Sequence, residues 1–548
     1  MEKNLRMRPI KSVWLITREY RGFADAGGVK DVSRDLSEAL AGSGYSVTVV
    51  MPLYGFMDPE TLGLESLEPV FEVDMNYSSE ERREQIGFCF RQLNGVRLVL
   101  VRAERFSEKM GVYTYTESEE ILNPDHKMGT GHYDYFAMNL LLQKAALGFA
   151  AYTGERPDVF HCQDGHAALL PALMRELEGF RQYFSASSAL VTIHNAGTGY
   201  HQEVGDLAFA RAVTGLPLRV ILSNLLNGAF DPLLAGAAYA VVNTVSENYA
   251  KELQETELDA LTGWFGHALK DRGISLMGIT NGINPDAYDP RKPEKLGLPA
   301  AFDPEQGDLR GKTVCRKRLC SMKFPADRDG ARKCGRLDFR PDQPLVTVIS
   351  RITEQKGLDV LAVALEELMA VDDEFQVALL GSGNEDISRR LACLAEDPGF
   401  DGRMAVYEGY DPVLANYIYA SGDFFVVPSR YEPCGLTDFI AQLMGNVPVV
   451  RATGGLVKVK DGFNGFTYRE HTPEALSEAL VRALEVYRKR PGVLGEIRVN
   501  AIRNIRKNYT WDRVMEKYVS LYRKAMETVP GQRAVIESVG MGRSGIVR

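Results

Sequence analysis

The feature that most narrows the fold is a rhythm of short β-branched runs alternating with longer helical patterns, and the chain plays it twice. V-W-L-I-T at 13–17, V-T-V-V at 47–50, V-F-H-C at 159–162 and L-V-T-I-H at 190–194 form the first series. Strands separated by helices predict parallel βαβ units with helices on both sheet faces. Residues 285–308 hold five prolines without apolar periodicity, the composition of a linker or boundary loop. Beyond them the rhythm restarts with L-V-T-V-I-S (345–350), F-Q-V-A-L-L (375–380), M-A-V-Y (404–407), D-F-F-V-V (423–427) and V-P-V-V (447–450). Such continuously apolar runs are buried parallel strands. The reading is α/β, two Rossmann-like domains at 1–290 and 300–505. A last helix at 510–526 starts at Thr510 and shows the apolar face Val514, Tyr518, Leu521, Tyr522. The tail 531–548 lacks such a face and is expected to be mobile.

Length and composition agree with that size of fold. The 548 residues are 45% hydrophobic and 25% charged, an ordinary globular balance. Lys plus Arg number 64 and Asp plus Glu 73, a net charge of -9, which gives no general footprint for nucleic acid or an anionic membrane. Seven cysteines without a C-x-x-C pair make no disulfide framework, so a reducing cytoplasm is expected. The basic start, Lys3, Arg6 and Arg8, is followed by too short and polar a segment for a signal core. The weakly charged stretch Val220 to Ser246 contains Asp231, Pro232 and Gly236 and reads as a buried helix and strand, not a membrane span.

Three loops carry residues suited to an anionic ligand. In F-A-D-A-G-G-V-K-D-V, Gly27 and Gly28 stand between a strand and a helix, where backbone N–H groups can approach phosphate or a sugar oxygen; a plain turn explains them too. In S-R-I-T-E-Q-K-G-L-D, Arg351 and Lys356 follow a strand end, where open α/β sheets bind ligands and a pyrophosphate leaving group needs fixed positive charge. A solvated loop with Glu354 pairing one cation is the alternative. In P-S-R-Y-E-P-C-G-L-T-D-F, Cys434, Gly435, Leu436 and Thr437 can offer N–H groups and a hydroxyl while Glu432 stands at the helix entrance. Pro433 as a helix starter and Glu432 as a carboxylate complementing the helix dipole fit equally. R-A-T-G-G-L at 451–456 and G-S-G-N-E at 381–385 add glycines after two more strands.

His194 ends a strand, which suits a site residue or a satisfied structural one. His161 fits a polar strand edge. No His/Cys/carboxylate cluster has zinc spacing, and Asp327-Arg328-Asp329, a D-x-D look-alike, lies in a charged loop that reads as a solvated turn. No metal and no cofactor are expected.

Taken together, S-R-I-T-E-Q-K-G-L-D, P-S-R-Y-E-P-C-G-L-T, R-A-T-G-G-L, D-V-F-H-C-Q-D-G-H-A and T-N-G-I-N resemble the bacterial glycogen synthases and plant starch synthases, retaining glycosyltransferases of the GT-B fold. The resemblance covers about residues 11–526. It implies two Rossmann-like domains facing each other across a cleft, the last helix crossing back to the first, and transfer of glucose from ADP-glucose to the nonreducing end of an α-1,4-glucan. It implies that Arg351 and Lys356 hold the diphosphate, that Glu432 is the carboxylate at the sugar, and that Cys434 to Thr437 contact phosphate and sugar. It places His194 near the transferred glucose, Asp31 after the first glycine pair with Gly28, Tyr410 beside the adenine, and Gly454 and Gly455 on the phosphate side.

One position departs from the pattern. The family's first motif is K-T-G-G-L, and here it reads D-A-G-G-V, with Asp25 at the lysine position. Asp25 is expected to contact the acceptor or a sugar hydroxyl, or to pair with Lys30. UDP-glucose or another acceptor, and a noncatalytic glucan-binding relative, are the rival readings.

Overall fold

The computed structural model describes residues 9–322 and 332–527. The DRD loop at 327–329 and the tail at 531–548 lie outside the described residues. The chain divides into two compact units, one running to Gly282 and resuming at Trp511, the other spanning Ile283–Thr510.

The first unit is built on a nine-stranded sheet. From one edge its strands are Met277–Gly278, Val241–Thr244, Ser188–Ile193, Val159–Gln163, Ser12–Ile16, Ser46–Pro52 and Val96–Arg102, all parallel, followed by antiparallel Arg83–Leu93 and Glu65–Asp74. The parallel strands match the apolar runs because both faces are covered. The antiparallel edge carries alternating and exposed residues and was not anticipated. Strand order reverses at Ser12–Ile16, whose neighbours are Ser46–Pro52 and Val159–Gln163. Helix Val29–Gly42 buries Val29, Val32, Leu36 and Leu40 as one stripe.

The helix Trp511–Glu527 completes this unit. It buries Val514, Tyr518, Leu521 and Tyr522, and Trp511 Nε1 donates to Asp35 Oδ2 at 3.1 Å. Tyr522 Oη lies 2.9 Å from His161 Nδ1, and His161 Nε2 lies 2.6 Å from Thr192 Oγ1. His161 is thus a satisfied core residue that ties the helix to the sheet.

The second unit holds seven strands in the order Arg332–Leu337, Arg403–Glu408, Gln376–Gly381, Leu345–Ile349, Phe424–Val427, Val447–Arg451, Phe466–Tyr468, all parallel but the first. Order reverses between Leu345–Ile349 and Phe424–Val427. Part of the proline-rich 285–308 segment belongs to this core: Leu296, Leu298 and Phe302 pack with Leu414, Ile418 and Phe425. Short apolar anchors spaced by prolines leave no helical or strand period to read.

The stretch Val220–Ser246 resolves into a small hairpin, Leu225–Leu226 with Ala229–Phe230, the helix Pro232–Ala237 and the strand Val241–Thr244. Among the described residues no helix is long and apolar enough to cross a membrane. None of the seven cysteines is joined in a disulfide.

Candidate active site

In each unit the residues singled out gather at the carboxyl ends of neighbouring parallel strands, where the reversal of strand order opens the sheet edge. In the second unit the loops after Leu345–Ile349 and Phe424–Val427 flank that reversal, and one ion pair joins them. Lys356 Nζ donates to Glu432 Oε2 at 2.6 Å, and Ser429 Oγ donates to the same oxygen at 2.8 Å. Glu432 is buried. Burial pushes its carboxyl up, but Lys356, Ser429 and Lys458 together outweigh that and hold it below the usual carboxylate range. The partner that could have been Glu354 is therefore Glu432.

The loop geometry behind this pair is set by backbone contact. Gly357 has φ +69°, and a Cβ there would meet Pro428 O at 2.1 Å. Arg430 N donates to Gln355 O at 2.9 Å, locking the two loops side by side. Arg351 is exposed at the strand end, its guanidinium 3.3 Å from Gln355 Oε1. Arg351, Lys356 and Glu432 are thus brought to one sheet edge.

The glycine pair at 454–455 has a packing job in its own loop. A Cβ on Gly454 would lie 1.8 Å from Glu432 O, one on Gly455 2.1 Å from Cys434 O, and Gly455 N donates to Glu432 O at 2.8 Å. Both glycines let the two loops touch backbone to backbone, which seats Glu432, Cys434, Gly435, Leu436 and Thr437. Tyr410 is exposed, two residues beyond the strand Arg403–Glu408.

In the first unit the loop after Ser12–Ile16 is organised by a residue that sequence reasoning missed. Glu19, buried, accepts the N–H of Ala26 at 3.2 Å and the N–H of Gly27, and its other oxygen accepts Tyr113 Oη at 2.6 Å. Burial raises the Glu19 carboxyl despite these bonds. The amides of Ala26 and Gly27 are taken by this carboxylate. Gly28 precedes the helix Val29–Gly42. Lys30 Nζ donates to Gly27 O at 3.0 Å and lies 3.5 Å from Asp31, which also pairs with Arg21 at 3.0 Å. Asp25 is exposed, and its Oδ1 accepts the N–H of Gly22 at 3.0 Å. The pairing of Asp25 with Lys30 is replaced by these contacts.

Across the reversal point, Arg18 N donates to His166 Nε2 at 3.2 Å. His194 Nε2 lies 2.7 Å from Gln163 Oε1, an acceptor, so that nitrogen carries the proton. Burial pushes His194 down to about 3, leaving a neutral imidazole at neutral pH. Its main-chain N–H donates to Asp164 Oδ1 at 2.6 Å. Asp164 sits at φ +53°, a left-handed conformation that Asp tolerates better than most residues. Burial pushes its carboxyl up to about 7, against the bonds from His194 and Asn195. The signal for Asp164 was its place in D-V-F-H-C-Q-D-G-H-A, directly after a strand. Among the described residues no group of three or more His, Cys, Asp or Glu side chains is arranged to hold a metal ion.

Known proteins resemble this chain along nearly its whole length. The family profile of the starch synthase catalytic domain matches residues 12–271, and that of glycosyl transferases group 1 matches 343–486. The glycogen synthase of Syntrophotalea carbinolica is 31% identical over 94% of this chain and 99% of its own length. That of Moorella thermoacetica is 32% identical over 97% of this chain and 100% of its own. The catalytic domain of Arabidopsis thaliana starch synthase IV, solved with ADP and acarbose, superposes with a TM-score of 0.76 at 23% identity, covering 95% of this chain and 100% of that one. The two α/β units are those of the GT-B fold. With relatives above 30% identity matched along nearly their whole length, the chain belongs to the glycogen synthase and starch synthase family of glycosyltransferases.

Proposed function

We propose that this glycosyltransferase moves glucose from ADP-glucose to the nonreducing 4-OH of an α-1,4-glucan with retention of configuration. The observation that carries the reading is the Lys356–Glu432 pair at the strand-order reversal, with Arg351 on the same loop. A sugar nucleotide reacts by cleavage of the bond from C1 to the β-phosphate oxygen, which loads negative charge on the leaving diphosphate and positive character on the sugar. Arg351 and Lys356 supply fixed cations for the first, and Glu432, ionised in its buried seat, supplies the negative field for the second. The acceptor O4 bonds to C1 from the face the diphosphate leaves, and its proton passes to the leaving phosphate oxygen.

The remaining assignments follow. The turn from Cys434 to Thr437 contacts phosphate and sugar, Gly454 and Gly455 shape the phosphate side, and Tyr410 stands by the adenine. His194, neutral and with its Nε2 proton given to Gln163, accepts a hydrogen bond at Nδ1 from a hydroxyl of the transferred glucose without adding charge. Gly28 and Asp31 belong to the donor side. Asp25, exposed beyond the glycine pair, meets the glucan. Nucleotide release from ADP-glucose and UDP-glucose, each with and without glycogen, tests the reading. Glycogen-dependent release of ADP is expected. Release of UDP alone would reassign the donor, and glucan binding without release of either nucleotide would overturn the activity.

A further inference from the structure

A second charge pair lies beneath the turn at 434–436. Lys458 follows the Gly454–Gly455 loop and is buried, and its Nζ donates to Cys434 O at 2.7 Å and to Gly435 O. The same ammonium stands 3.1 Å from Asp438 Oδ1 and 3.9 Å from the centroid of the Phe439 ring. Asp438 is fully buried, and its other oxygen accepts Gln442 Nε2 at 3.0 Å. The cation is therefore held by two carbonyls, a carboxylate and an aromatic face.

A trans peptide plane sends its C=O and N–H in opposite directions. Because the carbonyls of Cys434 and Gly435 both converge on Lys458 Nζ, the N–H groups of Gly435 and Leu436 face the other way. Gly435 sits at φ +74°, and glycine alone gives little resistance to rotation of the planes beside it. Rotating either plane would turn an N–H toward a buried ammonium and remove its acceptor, so the cation below fixes the direction of the amides above. A side chain at 435 is excluded as well, since a Cβ would come within 2.7 Å of Asp438 Oδ1 and 2.8 Å of Leu456 Cδ2.

We infer that Lys458, seated by Asp438, is a positioning residue that aims the amides of Gly435 and Leu436 at the leaving diphosphate of the donor, an inference that rests on the proposed role of the 434–437 turn. Lys458 touches no substrate and acts through the two peptide planes.

The test compares Lys458→Met, which keeps the chain length and loses the charge, with Lys458→Met/Asp438→Asn, which also removes the carboxylate left without its cation. Calorimetric binding of ADP and of UDP, donor and glycogen KM, kcat and Tm are measured on the full chain. The expected result is about tenfold weaker nucleoside diphosphate binding and a matching rise in donor KM in both variants, with glycogen KM unchanged. Tm should fall in the single variant and recover in the double one, which keeps the test open if the single variant does not fold. Wild-type nucleotide affinity in the double variant would make Lys458 a mere counter-charge for Asp438. That outcome overturns the inference and leaves the donor assignment standing. A wild-type chain that binds neither nucleoside diphosphate overturns the assignment and the inference together.

Discussion

Lys356 Nζ stands 2.6 Å from Glu432 Oε2, so the two cations of one short motif differ in what the fold asks of them. Arg351 is exposed, whereas Lys356 neutralises a buried carboxylate. Both Arg351→Ala and Lys356→Ala should lower turnover about 10²- to 10³-fold through lost charge stabilisation of the diphosphate. Only Lys356→Ala should also destabilise the protein, by about 1–3 kcal/mol, because Glu432 loses its cation. Thermal melts beside steady-state assays separate the effects, and equal Tm values for the two variants would contradict the ion pair.

Glu432→Gln preserves volume and an acceptor for Ser429 and Lys356 while removing the charge proposed to act on the sugar. Turnover should drop about 10²-fold or more with donor KM nearly unchanged, the signature of an interaction made in the transition state. A variant that loses stability and keeps its turnover would return Glu432 to a structural role.

Asp164 supplies a pH test. Its folded pKa, about 7, lies above the unfolded carboxylate value, so the native state binds the proton more readily. Stability from this group is fully present at low pH and declines as pH rises from about 4 to 7. Asp164→Asn keeps an acceptor for the His194 N–H and should match wild-type Tm near pH 4. Its advantage should grow to about 4 kcal/mol by pH 8. A Tm difference that does not vary with pH would show that Asp164 is ionised throughout.

The parallel strands were legible because burial on both faces leaves continuous apolar runs, and the site loops because they begin where those runs stop. Arg351, Lys356 and Glu432 stood out as charged residues in such loops, but their pairing spans 76 residues and has no local signal. Glu19 was hidden for a related reason. It reads as the polar end of a strand, and its partner Tyr113 lies 94 residues away. The glycine pairs were visible, but sequence cannot show the clearance for a neighbouring backbone that the fold requires at Gly454 and Gly455. The antiparallel edge Glu65–Leu93 escaped because half-exposed strands carry too few apolar residues to register.

Asp25 tests how the first loop is used. Its side chain accepts only a local N–H, from Gly22, among the contacts described, so Asp25→Ala should leave Tm almost unchanged. With a glucan contact at this position, glycogen KM should rise several-fold, about 1 kcal/mol, while donor KM stays put. Asp25→Lys discriminates further: a large gain in turnover with ADP-glucose would show that the loop favours a cation beside the donor and that the glucan role is wrong.

The return of Trp511–Glu527 to the first unit has a consequence for how the protein is made. Ile283 N donates to Tyr509 O at 2.8 Å, so the outgoing and incoming chain segments are paired at the very base of the second unit. During synthesis Ile283–Thr510 emerges whole before the helix that supplies Trp511 and Tyr522. The later half of the polypeptide can therefore close its core first. The earlier half waits, with Asp35 and His161 lacking their partners, until nearly the last turn of helix has left the ribosome.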